Sequence, residues 1–348
     1  MVHIMHKSRL VSLLLLSLVL SLLLSGCEQQ NSHEVNVYSA RKEALIKPAL
    51  DRFQTETGIK VNLVTGNADA LIERLKAEGV ASPADVLITV DAGRLHRAKS
   101  LQLTQAVDSE QLQTLIPAAY RDPEGHWFGL SLRARPIMYA KDRVNPADLS
   151  TYADLADETW RGRVCIRSSS NIYNQSLVAS MVASDGVDAV EQWAAGLVKN
   201  FARKPVGGDR DQIKALAAGV CDVAVANTYY LFGMLSSEND AEVKAAEQVQ
   251  VFWPNQQGRG THVNISGIAL TQSAKNPDNA VQLMEFLLNE ESQSWYANVN
   301  GEYPIRDNTV VHPTLAGWGQ FKKDAINLAE LGKLGPEAVK IMDRVEWP

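Results

Sequence analysis

Val35-Asn36-Val37-Tyr38 opens a stretch, closing at Asp85-Val86-Leu87-Ile88-Thr89-Val90, in which strand, helix, strand, helix and strand follow one another. The first run alternates as a half-buried strand does. Glu43 to Thr57 has helical spacing and stops at Gly58, and Ile59 to Val64 is a second strand. Asp69 to Glu78 is a second helix, closed by Gly79. This order is the opening of a doubly wound, parallel α/β sheet. The turn after the first strand, Tyr38-Ser39-Ala40-Arg41-Lys42-Glu43, holds no glycine, so a nucleotide-phosphate loop is excluded there.

Working outward, Trp127 to Ala140 reads as a strand pair that carries the chain into a second lobe. Thr151 to Gly162 reads as a polar helix and turn. Strands are expected at Arg163–Arg167, Val223–Ala226 and Val249–Trp253, with helices at Ser176–Ala183, Val187–Lys199 and Asp209–Ala218. Val263 to Leu270 returns to the first lobe. A chain of 348 residues suits two lobes better than one core.

The N-terminal side sets the compartment. Lys7 and Arg9 precede an apolar run from Leu10 to Leu24, short for a membrane span and suited to a signal peptide. It ends Leu24-Ser25-Gly26-Cys27, which resembles a bacterial lipobox and implies cleavage before Cys27 and a lipid on its sulfur. Residues 1–27 are thus read as a lipoprotein signal peptide and residues 28–33 as a tether. The formal net charge of −6 argues against a nucleic-acid partner. Two further cysteines, Cys165 and Cys221, each open a strand-like run. Neighbouring parallel strands would bring their sulfurs together in an oxidising compartment; two buried thiols are the alternative.

The chemistry gathers at Asn227-Thr228-Tyr229-Tyr230, which follows the apolar run Val223–Ala226. Asn227 reads as a helix N-cap, so two adjacent phenols stand at a strand-to-helix corner, where open α/β folds bind ligands. Two phenolate oxygens there suit a hard, highly charged cation, whereas most tyrosines simply pack. The five histidines after Cys27 show no metal-ligand spacing, and no Gly-x-Ser-x-Gly elbow or cysteine–histidine pair points to an enzyme.

Taken in order, seven pieces resemble the ferric-iron-binding proteins of bacterial ABC importers, within the periplasmic substrate-binding superfamily. They are Val37-Tyr38-Ser39-Ala40-Arg41-Lys42-Glu43, Phe53–Val61, Pro83–Val86, Gly129–Arg135, Trp160–Val164, Asn227–Tyr230 and Glu302–Arg306. The resemblance covers essentially the whole chain after Cys27. It implies a two-lobed periplasmic-binding-protein fold, each lobe a mostly parallel sheet flanked by helices, joined by hinge strands. Residues 34–131 with about 258–302 are expected in the first lobe, and 132–257 with about 303–348 in the second. It implies Tyr38, Tyr173, Tyr229 and Tyr230 as ferric ligands, Fe3+ as cargo and a synergistic anion beside it. Arg133, Arg41 and Arg135 are expected to contact a ligand tyrosine, offset its charge or hold the anion. It also implies a monomer anchored by lipid at the extracytoplasmic face, delivering iron to an ABC permease. One departure stands out. Where another branch of the family supplies a histidine and a glutamate from its first lobe, this chain has Arg41-Lys42 and Val90-Asp91. A binder of an organic solute or oxyanion, and an iron-sensing lipoprotein, remain open on the sequence.

Overall fold

The computed structural model describes residues 33–306 and 309–348. Cys27 and the segment 1–27 lie outside the described residues. Ten strands are used below: β1 Glu34–Ser39, β2 Lys60–Thr65, β3 Val86–Val90, β4 Phe128–Ala134, β5 Ile137–Ala140, β6 Val164–Cys165, β7 Val223–Val225, β8 Val249–Phe252, β9 Val263–Leu270 and β10 Tyr303–Pro304. They form two sheets, one ordered β10-β4-β9-β3-β1-β2 and the other β6-β7-β5-β8. Helices cover both, giving the expected two-lobed α/β architecture.

The sheets are mixed, where mostly parallel sheets were expected. β1 runs parallel to β2 and β3, but β9 is antiparallel to β3 and β4. In the second sheet β6 and β7 are parallel, while β5 is antiparallel to β7 and β8. The cause is connectivity. β4 and β9 are the strands that cross between sheets, and they enter from the opposite end to the βαβ strands. The crossings also adjust the expected lobe limits. β4 stays in the first sheet to Ala134, and Tyr303–Pro304, expected in the second lobe, pairs with β4 in the first sheet.

The two crossings are joined side by side. The Arg135 N–H donates to the His262 carbonyl at 3.1 Å. The buried Tyr152 hydroxyl donates to the Arg135 carbonyl at 2.7 Å and accepts from the His262 N–H at 3.1 Å. Tyr152 falls in the stretch expected to form one polar helix. Short 3-10 turns at Ala153–Ala156 and Glu158–Trp160 stand there instead. Asp157 between them ends the first turn, and Trp160 is drawn into the core.

Alternation along the strands sorts the core. Val35 and Val37 of β1 enter the main apolar cluster, and Tyr38 enters a separate one on the other face with Leu71, Ile72, Leu75 and Leu87. In the same way Val223 and Val225 face the main cluster, while Ala224 faces a smaller one with Cys165, Cys221, Leu216 and Leu231. Cys165 and Cys221 are joined by a disulfide with a Cα–Cα distance of 5.8 Å. The parallel pairing of β6 and β7 sets Cys165 beside Ala224, and the bridge ties the end of β6 to the segment just before β7. A C-terminal helix, Ala329–Arg344, packs on Ile172–Asp185 of the second lobe and on Ala92–Ser100 of the first. Among the described residues no helix is long and apolar enough to cross a membrane.

Candidate metal centre

Helix Thr228–Leu235 starts directly after β7, and helix Ile172–Asp185 starts after β6. Because β6 and β7 are parallel neighbours, the two helix starts lie side by side. This brings Tyr173 to Tyr229 and Tyr230, although 56 residues separate the first two in sequence. The rings of Tyr229 and Tyr230 lie with centroids 4.3 Å apart. All three phenols remain partly open to a cavity of about 400 Å³. Its other walls include Arg41, Lys42, Arg133, Arg210 and Glu302.

Arg133 joins the phenols to the first sheet. Its guanidinium lies 4.3 Å from the Tyr229 ring centroid and 5.1 Å from that of Tyr173. Its Nε is 3.5 Å from a Glu302 oxygen. Glu302 in turn accepts from Arg41 at 3.1 Å on both oxygens and from the Ser131 hydroxyl. Burial opposes the charge on Glu302, but Arg41 and Arg133 outweigh it and hold the carboxyl below its usual range. A buried carboxylate flanked by two guanidiniums satisfies the strict need of interior charge for partners.

The phenols differ in acidity. Burial pushes Tyr229 well above the ordinary phenol value, and burial with the neighbouring Tyr173 and Asp209 charges pushes Tyr230 up to about 12. Burial also opposes ionisation of Tyr173, but Arg133 and hydrogen bonds from Tyr229 and Arg133 reverse it, so this phenol lies below the usual value. One phenol is thus easier to ionise than an ordinary tyrosine, and two are harder.

A buried layer underlies the phenols. Arg135, 1% exposed, donates to Asp209 at 3.0 Å, to the Asn227 side-chain oxygen at 3.1 Å and to Asn174 at 2.7 Å. Asn227 sits at the N-cap position, but its side chain makes no cap hydrogen bond. It turns instead to Arg135 and donates to the Tyr229 hydroxyl at 3.3 Å. Among the described residues no group of three His, Cys, Asp or Glu side chains could hold a metal ion, and Tyr173, Tyr229 and Tyr230 line the cavity together.

Comparison with known proteins gives the context. Residues 49–323 match the bacterial extracellular solute-binding proteins. The chain belongs to this family. It is 48% identical to the Synechocystis iron uptake protein A1, with 94% of each chain covered. It superposes with a TM-score of 0.89, at 48% identity, on a Trichodesmium IdiA (FutA) structure in complex with iron and citrate ligands, covering 90% of this chain and all of that one. An open form of the Mannheimia haemolytica ferric iron-binding protein A gives 0.84 at 43% identity, covering 90% and 98% of the two chains. A solute-binding protein of this family is a transport component outside the cytoplasm and converts no substrate.

Tyr38 is the expected ligand that this solute-binding protein does not bring to the cavity. It is 1% exposed, its hydroxyl donates to Glu78 at 3.0 Å, and the Arg74 guanidinium stands 4.7 Å from its ring centroid. The reason is the period of the strand: a side chain at Tyr38 points away from the face that Ser39 and Arg41 lead toward. Arg133 and Arg41 do line the cavity, and Arg135 lies beneath it. Asp91, from the departing Val90-Asp91 pair, caps the helix Ala92–Ser100 through the Gly93 N–H and accepts from Ser176 at 2.8 Å. Sequence reasoning passed over Glu302 and Lys42 as cavity residues. Glu302 stood only inside a quoted motif, and its partner Arg41 is 261 residues away, so no local pattern announces the pair.

Proposed function

We propose that this solute-binding protein captures ferric iron in the cavity between its lobes, through the phenolate oxygens of Tyr173, Tyr229 and Tyr230, and delivers it to an ABC permease. The observation that carries this reading is the convergence of three phenols from two adjacent strand ends on one cavity, with Arg133 against two of the rings. Three phenolates balance a +3 charge, and hard oxygen donors suit a hard ion. The relatives named for iron uptake and the neighbour holding iron and citrate support the same cargo.

The first-lobe wall offers Arg41 and Lys42 in place of a phenol or imidazole. Three phenolates leave coordination positions open, and this cationic wall favours an anion filling them beside the metal. In this reading Tyr38 is structural and is no longer a ligand. Lipid attachment at Cys27 after removal of the preceding residues, a monomeric state, and lobes close to 34–134 with 263–304 and 137–252 complete the proposal.

Titration of the purified protein with ferric citrate tests it. A tyrosinate-to-iron charge-transfer band is expected, weakened in Tyr229→Phe and in Tyr230→Phe and lost when both are replaced. No band, and no iron retained after gel filtration, would sink the ferric reading and turn attention to oxyanions, which the same arginines could hold.

A further inference from the structure

The layer beneath the phenols has a geometry that packing alone does not require. Arg135 lies on the crossing between sheets, where its backbone pairs with His262 and Tyr152. Its guanidinium reaches two helix starts at once. One terminal nitrogen donates to Asn227, two residues before Tyr229, and the other to Asn174, the neighbour of Tyr173. Asp209, with no exposed surface, fixes that guanidinium at 3.0 Å and also accepts the Asn227 backbone N–H at 2.8 Å. Asn174 passes the constraint on by donating to the Arg167 and Ser168 carbonyls, which lead into the helix of Tyr173.

We infer that Arg135 and Asp209 are positioning residues that fix the separation of Tyr173 from Tyr229, and that Asn227 tunes the Tyr229 oxygen through its amide hydrogen bond. This rests on the ferric reading above. A planar fork with two rigid donors is suited to hold two elements at one spacing, which a flexible ammonium is not. Asn227 gives up its ordinary capping bond to serve the phenol. A donor aimed at a ligand oxygen orients it and moderates its donation to the metal, as partners of metal ligands do generally. Among the described residues Tyr230 receives no such amide, so the two adjacent phenolates are made unequal.

The test compares ferric charge-transfer spectra and ferric affinity of the wild-type chain with those of Asn227→Asp and Arg135→Lys. Asn227→Asp keeps the acceptor for Arg135, removes the donor to Tyr229 and adds a negative neighbour; its band is expected at longer wavelength. Arg135→Lys keeps the charge against Asp209 but cannot hold both amides, and ferric affinity is expected to fall about tenfold or more. A wild-type band position in Asn227→Asp, or wild-type affinity in a folded Arg135→Lys, overturns the inference. Circular dichroism identifies an Arg135→Lys protein that fails to fold, and the isosteric Asn227→Asp then decides alone. A wild-type chain with no band overturns the ferric reading itself, an outcome distinct from an unshifted band in the variants.

Discussion

The Arg133 guanidinium stands over the Tyr229 ring at 4.3 Å while its Nε faces Glu302 at 3.5 Å. One cation therefore serves both walls of the cavity, a first-lobe carboxylate and the second-lobe phenols. Burial opposes its charge, yet Tyr229, Tyr173 and Glu302 together raise its pKa well above the usual value. It stays charged at every accessible pH.

Tyr173 depends on that charge. Burial alone would raise its phenol, and Arg133 is the chief influence that lowers it. Arg133→Met is expected to move the earliest phenolate step of the iron-free protein from below about 10 to above it. Ultraviolet titration of phenolate absorbance reads this directly. An unchanged first step would dissociate Tyr173 from Arg133.

Ferric binding is expected to weaken in acid. Tyr229 lies well above the ordinary value and Tyr230 at about 12, so both are protonated near neutrality and must lose a proton to ligate. Each proton released makes the binding constant fall about tenfold per unit drop in pH. Tyr230→Phe should reduce the slope of log affinity against pH by about one. Competition against a chelator of known protonation, between pH 8 and pH 5.5, checks the slope; a flat profile in the wild type contradicts phenolate ligation.

Tyr38→Phe is expected to leave ferric affinity within about twofold. It removes a hydrogen bond to Glu78, which keeps Arg74 and Ser82 as partners, so the stability loss is about 1 kcal/mol. Chemical denaturation and iron titration of one preparation give both values. A collapse of iron binding would return Tyr38 to the ligand set.

Glu302→Gln removes the carboxylate shared by Arg41 and Arg133, each nearly inaccessible to water. Two buried guanidiniums then lack their counter-charge, at a cost of about 3 kcal/mol or more. Urea denaturation is expected to show the loss with or without iron.

Replacing both Cys165 and Cys221 by alanine opens a loop spanning 56 residues. The chain-entropy estimate for that loop is about 4 kcal/mol. Cys165 closes β6 and Cys221 stands two residues before β7, whereas the phenols follow on the helices after both strands. The charge-transfer band should therefore persist at low temperature while the thermal midpoint drops. Loss of the band in a folded double variant would show that the bridge also shapes the site.

Much of this was legible because it is local. The strand Val223–Val225 and the helix Thr228–Leu235 lie where the apolar run and the tyrosine pair placed them, and Val187–Lys199 has the boundaries its spacing predicts. The parallel neighbourhood of β6 and β7 was expected from two cysteines that each open a strand-like run, and it accounts for the approach of Tyr173. What escaped was directional or distant. Tyr38 stands one residue out of phase with the cavity face, and Val35 and Val37 on the main core already implied that its ring points elsewhere. The Glu302–Arg41–Arg133 group is assembled by antiparallel pairing of β10 with β4, residues about half the chain apart. Asn227 was read from a propensity for capping, and the buried Arg135 competes successfully for its side chain.

The hydroxyl of Tyr152 touches both strands that pass between the sheets, as donor to one and acceptor from the other. Those strands therefore share a rivet: they can swivel about a common pin, but sliding one past the other would tear both bonds together. Any movement of the lobes that keeps both bonds is a rotation about this point, and the pin, with no exposed surface, stays dry.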